Sequence, residues 1–91
     1  MSAKIKIPKQ LQTKTNGETL ATVNGCDVQV CIDELIHQYP DLEGEIFDDQ
    51  GMLLLKWMVY INRRISGASD ALSNPVREGD MIELLPVVAG G

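Results

Sequence analysis

The chain has 91 residues, which is enough for one domain but not for a second hydrophobic core. Its 13 acidic residues exceed its 8 basic residues and give a net charge of −5. Such a surface repels phosphate backbones, so we do not expect nucleic-acid binding. No apolar run has the length of a membrane span, and residues 1–9 lack the apolar stretch of a signal peptide. We therefore expect a cytosolic protein that does not bind membranes.

The sequence offers few residues for catalysis or metal binding. Cys26 and Cys31 have a C-x4-C spacing, and His37 is the single histidine. A zinc site made from these three residues is one alternative, but it matches no standard ligand spacing, and reduced structural thiols are favoured in a cytosolic chain. The sequence contains no hydrolase triad, phosphate-binding loop or dinucleotide fingerprint. We therefore expect neither enzymatic activity nor a bound cofactor or metal.

The first part of the chain predicts a β-hairpin. Residues 4–7 alternate polar and apolar side chains, which is typical of a strand, and Pro8 interrupts regular pairing because it lacks a backbone N–H. Asn16 and Gly17 form a strong turn signal because both tolerate positive φ. Residues 18–23 resume the alternation and predict the second, antiparallel strand.

One helix follows the hairpin. Asp27 is a suitable N-cap, and Pro40 ends the helix near Tyr39. Apolar residues recur at helical spacing on one face, which therefore needs a sheet or another helix to cover it. These residues are Val28, Cys31, Ile32, Leu35, Ile36 and Tyr39.

The second half of the chain predicts short strands separated by turns. The predicted elements are a helical turn at residues 41–47, a strand at Trp57–Ile61, a turn at 62–64, a short strand beginning at Ile65, a helical turn at 69–75, a tight turn at 78–80 and a last strand at 81–85, which Pro86 ends. This order indicates an α+β fold in which one main helix packs on one face of a mixed sheet of four to five strands. The β-grasp (ubiquitin-like) arrangement satisfies this order, and in that fold the first and last strands lie parallel at the sheet centre. The predicted domain is residues 1–86, followed by a tail at 87–91.

The tail has properties that suit activation of a carboxyl terminus. Residues 87–91 carry no charged side chain, which lowers the desolvation cost of entering a closed site. Gly90 and Gly91 lack a Cβ, so their backbone can pass through a narrow channel. The unhindered carboxylate of Gly91 can attack the α-phosphate of ATP and form an acyl-adenylate. The alternative is a glycine-rich terminus that frays and has no function.

Three segments together resemble the MoaD/ThiS family of ubiquitin-like sulfur carriers. They are Asn62-Arg63-Arg64, Glu78-Gly79-Asp80, and the run Leu84-Leu85-Pro86-Val87-Val88-Ala89-Gly90-Gly91. The family includes the small subunit of molybdopterin synthase and the thiamine sulfur carrier. The opening Lys4-Ile5-Lys6-Ile7-Pro8 and the long connection at residues 41–57 look most like carriers that serve cysteine or homocysteine synthesis.

The resemblance implies a cycle with two partner enzymes. An ATP-dependent activating enzyme adenylates Gly91, sulfur displaces AMP to leave a thiocarboxylate, and a sulfur-accepting biosynthetic enzyme takes the sulfur. The chain itself is expected to bind no cofactor, because ATP belongs to the activating enzyme, and to be a monomer when free.

The resemblance also implies a docking surface on the open side of the sheet. If Glu83 faces water, Ile82 and Leu84 face the helix, and Met81 and Leu85 lie on the open side. Leu85 and Ile65 occupy the places where family members contact their partners. Arg63 and Arg64 could attract acidic partners. The alternative for Leu85 and Ile65 is that they complete a small core.

Two other functions remain open at this point. A ubiquitin-like protein modifier uses the same adenylate to form isopeptide bonds with lysines. A passive adaptor domain would carry the two glycines without using them. Among sulfur carriers, the small subunit of molybdopterin synthase is the alternative to a carrier for cysteine or homocysteine synthesis.

Overall fold

The computed structural model describes residues 2–65 and 68–87. In this part of the chain the strands are β1 (Ser2–Lys6), β2 (Leu20–Asn24), β3 (Trp57–Ile61), β4 (Arg64–Ile65) and β5 (Met81–Pro86). The α-helices are α1 (Val28–Gln38) and the short α2 (Glu43–Ile46), and 3₁₀ helices span Lys9–Lys14, Pro40–Leu42 and Ala68–Ser73. No helix among the described residues is both long and apolar enough to cross a membrane.

The strands form one five-stranded sheet in the order β2-β1-β5-β3-β4. The first and last strands, β1 and β5, are parallel neighbours at its centre, and the other pairs are antiparallel. Two parallel neighbouring strands need a long connection between them. Between β1 and β5 this connection contains β2, α1, β3 and β4. The predicted sheet and its central parallel pair are confirmed.

The connection within the first hairpin differs from the prediction. A 3₁₀ helix at Lys9–Lys14 precedes the turn, and β2 begins at Leu20, later than residue 18. Leu11 of this helix is buried, and the buried Thr15 hydroxyl lies in hydrogen-bonding range of the Gln12 and Glu18 carbonyls, 3.3 and 2.9 Å away. These contacts hold residue 18 in the turn, so pairing starts only beyond it.

Helix α1 forms as its sequence predicts. The Asp27 carboxylate accepts a hydrogen bond from the backbone N–H of Val30 at 2.9 Å, which satisfies one of the free donors at the helix start. The helix ends at Gln38, and the N–H of Tyr39 donates to the Leu35 carbonyl before Pro40. Its inner face buries Val28, Cys31, Ile32 and Leu35.

The core lies between α1 and one face of the sheet. Its fully buried members include Ile5, Val23, Ile32, Val59 and Ile82. Burying each of these side chains contributes about 1.5–3 kcal/mol. All five come from different elements, so the core fixes which sheet face is covered and leaves the other face, here called the open face, free of α1.

Candidate functional site

Pairing registers define which side chains share the open face. Leu20 pairs with Lys6, Lys6 with Glu83, Glu83 with Tyr60, and Tyr60 with Ile65. Directly paired residues point to the same side of a sheet, so these side chains form one row across its full width. The row places Lys6 and Glu83 at the centre and Ile65 at the β4 edge.

Alternation along β5 separates core residues from surface residues. Ile82 and Leu84 are 0% and 1% exposed, whereas Leu85 is 40% exposed and is paired with Met58 on the open face. Ile65 is 60% exposed on the same side. Leu85 and Ile65 therefore do not complete the core, and they give the open face an apolar part; their role in docking stays a prediction.

The two predicted arginines lie on different sides of the sheet. Arg63 lines an open-face depression of about 430 Å³ together with Lys6, Asn62, Met81 and Glu83. Arg64, in contrast, pairs with Ile61, whose side chain packs against the core from the helix side. The register therefore places Arg63 with Met81 and separates Arg64 from the other predicted docking residues.

Asn62 connects the β3–β4 turn to the start of β5. Its backbone N–H donates to the Met81 carbonyl at 2.8 Å, and its side-chain oxygen accepts from the Met81 N–H at 2.9 Å. Its side-chain N–H₂ donates to Asp80 at 2.9 Å. Hydrogen bonds from the Arg77 N–H and from Asn62 lower the pKa of Asp80. Sequence reasoning missed this connection because it joins residues far apart in the chain.

The tail leaves the sheet beside the start of β3. Pro86 pairs with Trp57, and the Val87 N–H donates to the Lys56 carbonyl at 2.7 Å. The Trp57 indole N–H donates in turn to the Glu45 carbonyl at 2.8 Å, which fixes this corner against α2. Val87, which the sequence assigns to the tail, thus still bonds to the domain, whereas Gly90 and Gly91 lie outside the described residues.

Exposed apolar side chains occur at this exit and in the connection that precedes β3. Leu55, next to Lys56, is 95% exposed, Met52 is 63% exposed and Val87 is 44% exposed. Sequence reasoning did not assign a role to Leu55. Its available signal was the apolar run at residues 52–55 within a connection that otherwise has turn character.

The cysteines and His37 have separate environments. Cys31 lies in the core, as its place on the apolar helix face predicts, while Cys26 is exposed, and both thiols are free. Burial, followed by nearby Asp27 and Cys26, raises the pKa of the Cys31 thiol. His37 is exposed and lines a groove beside α1. No group of three or more His, Cys, Asp or Glu residues in the described ranges could hold a metal ion.

This topology defines a β-grasp, or ubiquitin-like, protein: α1 crosses one face of a mixed sheet, parallel strands lie at its centre, and the last strand leads to the terminal tail. The model of the ThiS family matches residues 5–91, and the chain belongs to this family.

The similar proteins cover the whole domain. The chain is 27% identical to the sulfur carrier protein CysO of Mycobacterium tuberculosis, over 100% of both chains. It is 26% identical to SAMP1, a small archaeal modifier protein, of Haloferax volcanii, with a TM-score of 0.84 over 100% of both chains. A chain of the BexX/CysO complex of Amycolatopsis orientalis is 29% identical, with a TM-score of 0.82 over 98% of this chain and 99% of the other.

Proposed function

We propose that this chain is a sulfur carrier whose working group is the carboxyl group of Gly91. The observation that carries the proposal is the position of Val87 at the end of β5, where its N–H is bonded to the Lys56 carbonyl; the four residues that follow it in the sequence are uncharged and end in Gly90 and Gly91. Membership of the ThiS family and full-length similarity to a CysO sulfur carrier support it.

The chemistry takes place in the partner enzymes. A carboxylate oxygen of Gly91 attacks the α-phosphorus of ATP, and pyrophosphate leaves. A sulfur nucleophile then attacks the acyl carbon, AMP leaves, and a C-terminal thiocarboxylate remains. The chain supplies no acid, base, metal or cofactor to these steps. It supplies the reactive end and a surface that the activating enzyme and the sulfur-accepting enzyme bind in turn, in the cytosol and as a monomer when free.

The favoured destination of the sulfur is a metabolite of the cysteine or homocysteine type. Similarity to CysO proteins supports this choice. The Pro86-Val87-Val88 sequence also departs from the Pro-Pro-Val sequence often found in small subunits of molybdopterin synthase, which remains the alternative among carriers.

A second candidate is a ubiquitin-like protein modifier. The specific observation in its favour is the similarity to SAMP1 over the full length of both chains. The carrier and the modifier share the adenylate and differ in the nucleophile that follows: sulfur for the carrier and a lysine amine for the modifier.

Intact-mass spectrometry of the chain with its activating enzyme, ATP and a sulfur donor tests the proposal. A carrier gains the mass of one oxygen-to-sulfur exchange, located at Gly91 by fragmentation. A chain that lacks Gly91, or that carries one added residue after it, is the control and should gain nothing. A modifier instead gives covalent conjugates to lysines when the same mixture contains cell extract. A wild-type chain that is never adenylated excludes both functions.

A further inference from the structure

Cations outnumber carboxylates among the strand positions of the open face and the β3–β4 turn beside it. The strand side chains of this face include Lys4, Lys6 and Glu83, and Arg63 joins them from the neighbouring turn. The net charge of the chain, in contrast, is −5. Complementary charge guides the orientation in which two proteins meet, so an acidic partner surface is attracted to the open face.

Several carboxylates lie together on the side of the molecule that α1 covers. A groove of about 850 Å³ beside α1 is lined by Asp33, Glu43, Asp48 and Asp49, among others. An acidic partner is repelled from this side. The two sides therefore favour one docking orientation, in which the open face meets the partner.

Arg63 occupies a turn position whose positive φ angle favours glycine. Asn62 and Arg63 have φ angles of 52° and 70°, and they link Ile61 to Arg64, which are paired across β3 and β4. In two-residue hairpin turns with two positive φ angles, the common sequence is Asn-Gly. A long side chain at the second position is strained, and such departures from local preference concentrate at functional positions. The turn thus retains a cationic side chain at the expense of backbone strain.

Lys6 and Arg63 bring two positive charges to the lining of the depression, and Glu83 brings one negative charge. The nearby Asp80 carboxylate already accepts hydrogen bonds at both oxygens, from the Asn62 side chain and from the Arg77 N–H. Lys6 Nζ lies 3.8 Å from a Glu83 carboxylate oxygen, and the exposed fractions of the two side chains are 64% and 17%. Within residues 2–65 and 68–87, the Arg63 guanidinium has no carboxylate partner. A carboxylate entering from outside would find Arg63 free and Lys6 only loosely paired.

We propose that the depression between Lys6 and Arg63 receives a carboxylate side chain of the activating enzyme. This inference rests on the proposed function and names the chemistry of one partner at its docking surface. An Asp or Glu of the enzyme contacts the Arg63 guanidinium, which can bind a carboxylate through two parallel N–H donors, while Leu85 makes the apolar contact nearer the tail. The charged contact lies beside Met81 and Glu83, and the apolar contact lies at Leu85, farther along β5. Because the two contacts are separated along the strand, together they orient the tail toward the adenylating site.

The sharpest test is Arg63→Gly, compared with Arg64→Ala. Each variant removes one positive charge, but Arg64 lies on the other side of the sheet. Arg63→Gly relieves the strained turn, so its thermal midpoint should rise by about 3 °C. Its affinity for the activating enzyme that charges the wild-type chain, measured without ATP, should fall about tenfold. The dependence of this affinity on salt concentration should become shallower.

If Arg63→Gly is more stable than the wild type but binds the activating enzyme more weakly, the Arg63 side chain serves binding and not the stability of the fold. Arg64→Ala should bind within about twofold of the wild type, because surface charge away from an interface contributes little. Unchanged affinity in Arg63→Gly, or an equal loss in Arg64→Ala, overturns the inference. In either case normal adenylation of the wild-type chain leaves the proposed function intact.

Glu83→Gln tests the sign of the charge that enters the depression. The substitution removes the carboxylate that competes for Lys6 and repels an incoming carboxylate. Affinity for the activating enzyme should therefore increase about threefold. An unchanged or weaker affinity would show that no carboxylate of the enzyme binds there.

Discussion

The two faces of β5 show how neighbouring residues can serve different purposes. Leu84 is 1% exposed and packs in the core, whereas Leu85, the next residue, is 40% exposed on the open face. Both are leucines on one strand, so composition does not distinguish them. Their difference follows from the period of two, which turns successive side chains to opposite sides. Leu84 therefore contributes to folding, and Leu85 is available to a partner.

The largest expected effect is on the covered face. Leu84→Asp places a carboxylate among apolar side chains with no positive charge to pair with it. We expect a loss of more than about 4 kcal/mol in the free energy of unfolding, enough to unfold a domain of this size. Urea titration followed by circular dichroism measures it. A cooperative transition near that of the wild type would show that β5 is reversed with respect to the core.

Leu85→Asp is the matched change on the open face. Because Leu85 is partly exposed, the free energy of unfolding should change by only about 1 kcal/mol. Affinity for both the activating enzyme and the sulfur-accepting enzyme should fall about tenfold or more, because a charge replaces an apolar contact. Pull-down and titration calorimetry on the folded variant measure this loss. Wild-type affinity for both enzymes would contradict a docking role for Leu85.

A smaller loss of stability is expected when the thiols are removed. Cys31 is buried, like Leu84, and Cys26 is exposed, like Leu85. Cys31→Ala removes a buried sulfur and should cost about 1 kcal/mol, while Cys26→Ala, at an exposed position, should be close to neutral. Chemical denaturation of the two single variants compares them. Both variants should still form thiocarboxylate at the wild-type rate; a folded variant that fails to do so would assign the thiol a role in sulfur transfer.

The smallest effect is expected where the open face begins, at Asp80. Hydrogen bonds in the folded state lower the pKa of Asp80, so its contribution to stability is present above the pKa of the unfolded chain and is lost as pH falls through the folded-state pKa. Asp80→Asn should therefore weaken the dependence of the thermal midpoint on pH in the acid range. Thermal scans of both proteins from neutral to acid pH test it, and parallel curves would contradict the assignment.

Features encoded by neighbouring residues were predictable from the sequence. The Asp27 cap, the strand at Trp57–Ile61 and the alternating burial of Ile82 and Leu84 follow from patterns a few residues long. The order of these elements, with the family resemblance, led to the β-grasp sheet.

Features that depend on distant contacts were not predictable in this way. The 3₁₀ helix at Lys9–Lys14 buries little beyond Leu11, so it leaves no periodic signal. The bond between Asn62 and Asp80 exists only once β3 and β5 are neighbours. Arg63 and Arg64 looked equivalent in the sequence. The side of the sheet on which each arginine lies depends on the residue at which the turn ends and the pairing of β4 with β3 begins, which is Arg64.

The hydrogen bond from Val87 to Lys56 sets a limit on reach. Residues 88–91 follow this fixed point, and four residues span at most about 14 Å whatever path they take. The longest dimension of the domain is 36 Å. An enzyme that acts on Gly91 must therefore hold its reactive phosphate or sulfur within about 14 Å of Val87. An enzyme whose reactive group lies farther than this from its docking surface cannot use the chain as a substrate.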